Sequence, residues 1–444
     1  MSELFNPFPS TKLPIFYNIR NKDVLVYAPG FLVRVEKSDW ERSLSVSSEW
    51  QRLQTYAEGA IEQPRSWHER FKPVSLNVYI TRSCNLHCVY CFSDPSQADS
   101  KYFAPSTESI IEGACLVADN CYAKDFPMTF VLNGGGEPTL DSRMALLIST
   151  VKEICAQKNV PLFTYLATNG IMCIEKAKEV CTLFDLIGLS CDGPPEIQDL
   201  QRPIIGGGRS STSVERTAAI FHQSDQDFEV RVTLTKESWP QMPAIANYLS
   251  KKIHPQAINV ELAYRRPHFP IDEEDLEKFI EGYWIAKDIC SEADIPWHSN
   301  SVRPGHHHRQ YCHILQNTLQ IIPGDVASLC FLDNDCMESL QRETQISVYD
   351  QDTKKWVINH TTINNKRKIL LKNQEICKNC IIASHCHRSC PEICPLTHPK
   401  DMPDIQCKLN RRLFNEYLDR KGNDLAVTCK KQQVGISGKE IVEC

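Results

Sequence analysis

Three closely spaced cysteines follow the short apolar run LNVYIT and constrain this chain more than any other feature. Cys84, Cys88 and Cys91 lie in the segment CNLHCVYCF with a C-x3-C-x2-C spacing, and no fourth cysteine follows nearby. Three thiolates at this spacing can converge on one centre. A [4Fe–4S] cluster normally takes four thiolates, so three would leave one iron open. The alternatives are scattered core cysteines and a structural zinc site, which usually needs paired C-x2-C elements and a closed set of four ligands.

The composition indicates an intracellular metal-binding protein. The 444 residues suffice for two or three domains, and a hydrophobic content of 42% can form a sizeable core. The net charge of −6 shows no basic excess for nucleic acid. No run of 18 apolar residues and no signal peptide are seen, so we expect no membrane association. The 21 cysteines are then interpreted as metal ligands in a reducing compartment, the cytoplasm.

The middle of the chain alternates between strand and helix patterns. Such alternation predicts parallel βαβ units with right-handed crossovers, an α/β fold. The helices are expected at Ser106–Tyr122, Ser142–Lys158, Val214–His222 and Met242–Lys251. The strands are expected at Leu76–Thr81, Thr129–Leu132, Leu162–Ala167, Leu186–Ser190, Phe228–Leu234 and Ile258–Leu262.

Glycine-rich and polar segments follow three of these strands, where parallel α/β barrels collect their chemistry. The run Gly134–Glu137 follows the second strand, and glycine lets the backbone approach a ligand closely. The third strand ends at Thr168–Gly170, a weaker signal for a turn that lines a pocket. After the fourth strand, Ser190 opens SCDGP and Arg202 follows, a short hydroxyl donor and a cation. Ordinary turns and a surface arginine are the alternatives.

These segments together resemble the radical S-adenosylmethionine (radical SAM) enzymes. The resemblance implies a partial (β/α)6 TIM-like barrel, whereas periodicity alone indicates only α/β. It implies that Cys84, Cys88 and Cys91 hold a [4Fe–4S] cluster whose open iron binds SAM. The family places an aromatic residue near the adenine, which is Tyr90 here, and core packing is the alternative role for it. The expected SAM contacts are Gly135, Gly136 and Glu137 for the amino group, Ser190 for the ribose, Arg202 for the carboxylate and Tyr90 for the adenine.

The cysteines of the C-terminal third resemble the SPASM extension of radical SAM enzymes, with a zinc module as the alternative. The resemblance implies two auxiliary [4Fe–4S] clusters, three clusters in all. This sequence departs from the family pattern at one place, because five residues, not four, separate Gly324 and Cys330. The fourth ligand of the inner cluster stays open among Cys336, Cys394, His306, a substrate group or no ligand. The expected ligands are Cys377, Cys380, Cys386 and Cys407 for the outer cluster, and Cys312, Cys330 and Cys390 for the inner one.

We expect four parts in the chain: an N-terminal unit (1–72), a radical SAM core (73–300), a SPASM domain (301–420) and a tail (421–444). The first has a hairpin signal within Asp23–Val35 and a helix from about Ser47 to Ile61. In peptide-modifying relatives, a small unit of this kind docks the leader of a precursor peptide as an added strand; alternatively it covers one side of the barrel. The last part is polar and is expected to be a flexible tail.

The resemblance implies a maturase of a ribosomally made peptide, which abstracts a side-chain hydrogen atom and installs a thioether or carbon–carbon crosslink. Such an enzyme needs an external one-electron donor of the flavodoxin or ferredoxin type. The general base is unknown, with Asp333 and Asp335 in the right region. A protein maturase that makes formylglycine, as in anaerobic sulfatase maturation, and a non-enzymatic iron–sulfur electron carrier are the alternatives.

Overall fold

A computed structural model describes most of the chain. Residues outside the description include the predicted ligands Cys312, Cys330 and Cys390, and also His306, Asp333, Asp335, Cys336 and Cys394. The described residues are 5–9, 11–37, 48–61, 70–91, 104–263, 271–305, 315–328, 345–377, 379–386, 405–425 and 440–443.

The N-terminal residues form a small antiparallel sheet and one helix. The predicted hairpin is present, since β3 and β4 pair from Asp23↔Glu36 to Ala28↔Phe31 around Gly30, whose φ is +89°. The sequence analysis did not indicate the first two strands. The elements are β1 (Asn6–Pro7), β2 (Phe16–Ile19), β3 (Asp23–Ala28), β4 (Phe31–Glu36) and α1 (Ser48–Ile61).

Seven parallel strands then form the central sheet in the order of the chain. All six predicted strands are present, and a seventh pairs in parallel with the sixth. The parallel α/β fold that the alternation predicts is therefore confirmed. The strands are β5 (Ser75–Tyr79), β6 (Met128–Asn133), β7 (Leu162–Thr168), β8 (Leu186–Ser190), β9 (Phe228–Leu234), β10 (Ile258–Leu262) and β11 (Trp297–Ser299).

Helices connect these strands and cover one face of the sheet. The four predicted helices are present, and three further ones follow β7, β8 and β10. The helix after β9 continues into a π-helical turn, Leu249–Ile253. The helices are α2 (Thr107–Lys124), α3 (Met144–Gln157), α4 (Ile174–Leu183), α5 (Pro195–Gln201), α6 (Ser210–Gln223), α7 (Met242–Tyr248) and α8 (Leu276–Ser291).

The strands bury one face and leave the other half-exposed. In β9, Phe228, Val230 and Val232 are buried, whereas Glu229 and Arg231 are half-buried. Successive side chains of a strand point to opposite faces. The apolar side chains therefore join the core under the helices, and the polar ones line the interior of the partial barrel.

The C-terminal part extends this sheet beyond β5. A strand pairs in parallel with β5, and three antiparallel strands continue from it. The sheet is thus continuous across the expected boundary at residue 300. The last strand, inside the expected tail, pairs antiparallel with β4. These elements are β12 (Thr318–Ile322), β13 (Val326–Ser328), β14 (Gln345–Asp350), β15 (Lys355–Ile358), α9 (His360–Ile376), α10 (Ile405–Asp424) and β16 (Glu440–Glu443).

The N-terminal sheet lies between α1 and the C-terminal residues. One face packs Val24 and Val26 against Leu53 of α1, and the other packs Leu25 and Leu32 into a cluster with α10. All six residues of β3 are buried for this reason. A helix long and apolar enough to cross a membrane is not found among the residues that the structure describes.

Candidate functional site

The loop after β5 carries the three predicted cluster thiols. Burial raises the pKa of Cys84, and the Glu137 and Cys91 charges add to the rise. Burial raises the pKa of Cys88 to about 12, with Cys91 and Cys84 contributing. The three thiols therefore lie close enough to act on one another electrostatically.

Donors aimed at sulfur already surround Cys84. The Leu86 backbone N–H lies 3.4 Å from its Sγ, and the Asn169 side-chain amide lies 3.7 Å away. The same amide donates to Asn85 Oδ1 at 2.8 Å. The turn after β7, a weak signal in the sequence, is thus tied to the cysteine loop. N–H groups near a thiolate favour its charged form.

The three thiols of the cysteine loop suit the chemistry of an iron–sulfur cluster. Across the described ranges, no three His, Cys, Asp or Glu side chains are placed to share one metal ion. The thiolates of a [4Fe–4S] cluster bind different irons and stand farther apart than the ligands of one zinc ion. Three thiolates on one loop could therefore hold three irons of such a cluster and leave the fourth iron open.

The cysteine loop pairs with the segment after α5 through its backbone. His87 N donates to Pro203 O at 2.9 Å, and Val89 N donates to Gln201 O at 3.0 Å. A third bond, from Ile205 N to Asn85 O, closes the pairing at 3.0 Å. These bonds bring Arg202 to the cysteine loop, where its charge acts on the Cys88 thiol.

Asp192 holds two of the predicted SAM residues, Tyr90 and Arg202, together. Its carboxylate forms a bidentate pair with Arg202, at 2.9 Å to Nε and 3.0 Å to Nη2. Tyr90 donates its hydroxyl to the same carboxylate at 2.5 Å, and Arg202 lies over the Tyr90 ring at 5.3 Å. Gln201 Nε2 and the Thr233 backbone N–H donate to it at 2.8 and 2.9 Å. The sequence analysis did not select Asp192, although it lies within the SCDGP segment.

Arg202 and Asp192 form a buried ion pair. Their side chains are 8% and 0% exposed. Burial acts to lower the pKa of Arg202, but the charges of Asp192, Tyr90 and Cys88 outweigh it and raise the pKa above its usual value. The guanidinium therefore stays charged beside the cysteine loop. Ser190 ends β8 two residues before Asp192, and its backbone partner in β9 is Arg231.

The glycine run packs directly against the cysteine loop. Gly136 has no room for a side chain, since a Cβ would lie 2.4 Å from Ser83 O and 2.6 Å from Thr81 O. Glu137 N donates to Ser83 O at 2.8 Å. A Cβ on Gly135 would overlap the Tyr79 hydroxyl. Glycine is required here by the close approach of two backbones.

The Glu137 side chain points into the protein. Its carboxylate accepts bonds from Thr139 N and Oγ1 at 3.1 and 2.7 Å, from Thr168 Oγ1 at 2.7 Å and from Asn169 N at 2.7 Å. Burial raises its pKa, although these donors act in the opposite direction. Its carboxylate thus joins the loops after β6 and β7, and only its backbone remains for the predicted contact with an amino group.

Four predicted auxiliary ligands lie near the start of α10. Cys380 N donates to Cys377 O at 2.9 Å in a tight turn. The Asn410 side-chain amide lies 3.4 Å from Cys386 Sγ. Asn410 itself is one helical turn after Cys407 in α10. Burial raises the pKa of Cys380, and the Arg411 charge lowers it. The structure therefore brings the C-x2-C turn, Cys386 and Cys407 to one region.

The central residues of this chain are similar to known proteins. Residues 78–249 match the radical SAM superfamily. The cysteine-type anaerobic sulfatase-maturating enzyme of Clostridium perfringens is 28% identical over 185 residues, 40% of this chain and 49% of that protein. The serine-type enzyme of Klebsiella aerogenes is 27% identical over 238 residues, 50% of this chain and 55% of that protein. The chain thus spans about half the length of these curated relatives.

Solved structures show the same fold. The structure of anSMEcpe with bound AdoMet aligns with a TM-score of 0.59 and 18% identity, covering 80% of this chain and 99% of that one. The fold predicted from the resemblance is confirmed by this match and by the superfamily match. This chain therefore carries a domain of the radical SAM superfamily at residues 78–249.

Proposed function

We propose that this chain is a radical SAM peptide maturase that abstracts a hydrogen atom from a side chain of a precursor peptide and installs a thioether or carbon–carbon crosslink. One observation carries the proposal: the cysteine loop, the glycine run and the Asp192–Arg202 pair meet at the C-terminal ends of β5, β6 and β8. Substrates of parallel α/β barrels are processed at this end of the sheet.

The residues of the site fit a [4Fe–4S] cluster and SAM. Cys84, Cys88 and Cys91 would hold the cluster, leaving one iron for SAM. When reduced, the cluster with bound SAM would supply a carbon radical able to remove hydrogen from an unactivated carbon, and auxiliary clusters would supply an electron acceptor. An external one-electron donor of the flavodoxin or ferredoxin type would reduce the cluster that binds SAM.

The protein's own groups position SAM. Asp192 fixes Arg202 by a bidentate contact, so the guanidinium is oriented before its remaining N–H groups meet a carboxylate. Ser190 offers a hydroxyl to the ribose, and Tyr90 is held by Asp192 for the adenine. Gly135, Gly136 and the Glu137 backbone would face the amino group. These assignments follow the motifs residue by residue.

The C-terminal cysteines would hold the auxiliary clusters of a SPASM module. Cys377, Cys380, Cys386 and Cys407 would form the outer site, which the convergence at α10 supports. The Asn410 amide beside Cys386 Sγ is a donor that tunes a cluster thiolate. Cys312, Cys330 and Cys390 are the proposed inner set.

A peptide substrate is supported by a relative of known structure. The structure of anSMEcpe with AdoMet and the Cp18Cys peptide aligns with a TM-score of 0.56 and 17% identity, covering 79% of this chain and 99% of that one. Leader docking on residues 1–72 needs a sheet edge with unpaired backbone groups. β16 pairs with β4, so an added strand would lie beside β1 or displace β16.

The second candidate is a protein maturase that oxidises cysteine or serine to formylglycine. The names of the curated relatives, both anaerobic sulfatase-maturating enzymes, favour it. The two products differ chemically: formylglycine is an aldehyde that forms hydrazones, whereas a crosslinked peptide does not. Mass spectrometry with and without a hydrazine reagent separates them.

The first test is formation of 5′-deoxyadenosine from SAM by the anaerobically reconstituted, reduced protein. We expect Cys91→Ala to abolish it, because the cluster then loses one of three thiolates. We expect Cys380→Ala to retain uncoupled SAM cleavage but to form no modified peptide. Cys173→Ala is the matched control, since Cys173 is exposed at the start of α4 and has no proposed role.

Two results would contradict the proposal. If the wild-type protein with an intact, reduced cluster forms no 5′-deoxyadenosine, the proposal fails and the electron-carrier alternative stands. If Cys91→Ala and Cys380→Ala lose SAM cleavage equally while both remain folded, the two cysteine modules do not have separate roles.

A further inference from the structure

A cavity of about 730 Å³ opens between the barrel interior, α8 and α10. This volume is that of a typical ligand site. Tyr165, Glu229, Arg231 and Asn259 line it from the strands, and the loop that follows β11 closes one side. The cavity contains none of the residues that the motifs selected.

Positive charge exceeds negative charge around this cavity. Among the described residues, its lining includes Arg231, Lys287, Arg303 and Lys421 and one carboxylate, Glu229. Arg231 also forms an ion pair with Glu261, which is not part of this lining, at 3.7 Å. The Glu229 carboxylate is already bound by Tyr165 Oη at 2.9 Å and Asn259 Nδ2 at 2.8 Å. It is therefore engaged in the wall of the cavity, where it orients neutral donors.

Lys287 and Lys421 lack carboxylate partners in the part of the chain that the structure describes. Lys287 donates to a neutral group, the Trp297 carbonyl, at 3.0 Å. The nearby carboxylate of Asp288 is bound by Arg420 Nη1 at 2.8 and 3.1 Å. Burial lowers the pKa of Lys287, and the Lys421 charge lowers it further. Both ammonium groups line the cavity, where a bound anion would interact favourably with their charge.

Aromatic rings complete the walls. Trp284 and Trp297 are 6% and 1% exposed, and their indole N–H groups are buried without an acceptor among the described residues. Phe414 and Tyr417 of α10 line the opposite side. A ligand that suits these walls combines negative charge and acceptor oxygens with apolar surface.

The cavity reaches the neighbourhood of the proposed SAM site. Arg231 in its lining pairs in β9 with Ser190 of β8, the proposed ribose contact. Paired residues on adjacent strands lie about 5 Å apart. A peptide anchored in the cavity can therefore present a neighbouring residue to the radical centre.

We propose that this cavity binds a carboxylate side chain of an acidic peptide substrate through Lys287 and Lys421. The assignment of the peptide as substrate rests on the proposed maturase function, whereas the binding site itself rests on the charge and shape of the cavity. The chemistry recognised is a Glu or Asp side chain next to an apolar residue.

The test measures peptide binding without turnover. The reconstituted full chain, without reductant, is titrated against a fluorescent peptide that carries Glu and Asp around one Trp. The matched peptide replaces these acids by Gln and Asn. We expect the acidic peptide to bind at least tenfold more tightly, and Lys287→Gln or Lys421→Gln to weaken it about tenfold, the equivalent of one charge-assisted hydrogen bond.

Lys251→Gln is the matched control, because Lys251 is exposed on the π-helical turn and its loss changes net charge equally. Equal binding of the acidic and neutral peptides, no binding of the acidic one, or equal weakening by Lys251→Gln would overturn the proposal. Charge-selective binding by a protein that forms no 5′-deoxyadenosine would confirm the site and overturn the maturase function instead.

Discussion

The Asp192 carboxylate accepts hydrogen bonds from four residues in three separate segments of the chain. Its partners lie in the cysteine loop, at the end of α5 and in β9. A buried carboxylate is stable as a charged group only when it is paired and hydrogen-bonded. Asp192 therefore both requires Arg202 and orients it.

We expect Asp192→Asn to lower the stability of the protein by about 3 kcal/mol, because Arg202 is left as a buried charge without its partner. SAM should also bind more weakly, since the guanidinium loses its fixed orientation. Thermal unfolding and SAM titration measure the two effects. The control is Asp272→Asn, whose exposed pair with Lys236 at 3.9 Å should contribute little. Similar losses in both variants would contradict the role of Asp192.

At the residue level, the sequence predicts which residues gather at the site but not which hydrogen bonds each side chain makes there. Cys84, Cys88 and Cys91 carry a spacing that few structures other than a cluster explain. Glu137 belongs to an equally recognisable motif, yet its carboxylate is committed to Thr139, Thr168 and Asn169. Such bonds come from loops that converge only in the folded protein, so spacing along the chain does not reveal them.

At the level of elements, local patterns predict the six strands within one or two residues. The alternation of buried and half-buried positions is the signal, since one face of each strand packs under helices. Short α5 and four-residue β16 lack enough periodicity to be recognised. β16 forms because β4 offers it an edge, which is a tertiary and not a local property.

Helix α10 illustrates an element fixed by tertiary packing. Gly422 is buried there, and a Cβ on it would lie 2.6 Å from Leu25 Cδ1 of β3. We expect Gly422→Ala to destabilise the protein by about 1–2 kcal/mol, because the buried Leu25 has little room to move. Gly59→Ala in α1 has open space around it and should stabilise by up to about 1 kcal/mol through helix propensity. Urea unfolding measures both, and the same sign for both would contradict this packing.

At the level of the whole molecule, the N-terminal sheet and the cysteine-rich C-terminal residues form one packed unit. Tyr27 Oη and His385 Nε2 lie 2.5 Å apart, and the His385 ring stacks on Phe414 at 4.7 Å. Residues nearly 400 positions apart in sequence thus meet beside the proposed outer cluster. The sequence patterns of the N-terminal and C-terminal segments, each taken alone, do not indicate that the two segments pack together.

The pH dependence of stability tests the packing of α10 against the N-terminal sheet at a second place, Asp419. Burial raises the pKa of Asp419 of α10 to about 6, with Arg20 opposing the rise and Glu416 adding to it. Because the unfolded value is about 3.9, the native state binds the proton more tightly, and stability falls as pH rises from about 4 to 6.

We therefore expect Asp419→Asn to stabilise the protein at pH 7.5 by about 1 kcal/mol, since the half-exposed carboxylate is partly screened by solvent. Little gain should remain at pH 4, where the native carboxyl is already neutral. Thermal unfolding at both pH values measures the difference. An equal gain at the two pH values would show that the change acts through packing instead.

The central claim is that three cysteine sets hold three [4Fe–4S] clusters in one radical SAM maturase. Iron and sulfide content with Mössbauer spectra of the anaerobically reconstituted protein tests it most directly. The account predicts about twelve irons per chain, all in [4Fe–4S] clusters. About four irons per chain together with zinc would contradict it, because the C-terminal cysteines would then be structural and the proposed oxidation would lack its electron acceptor.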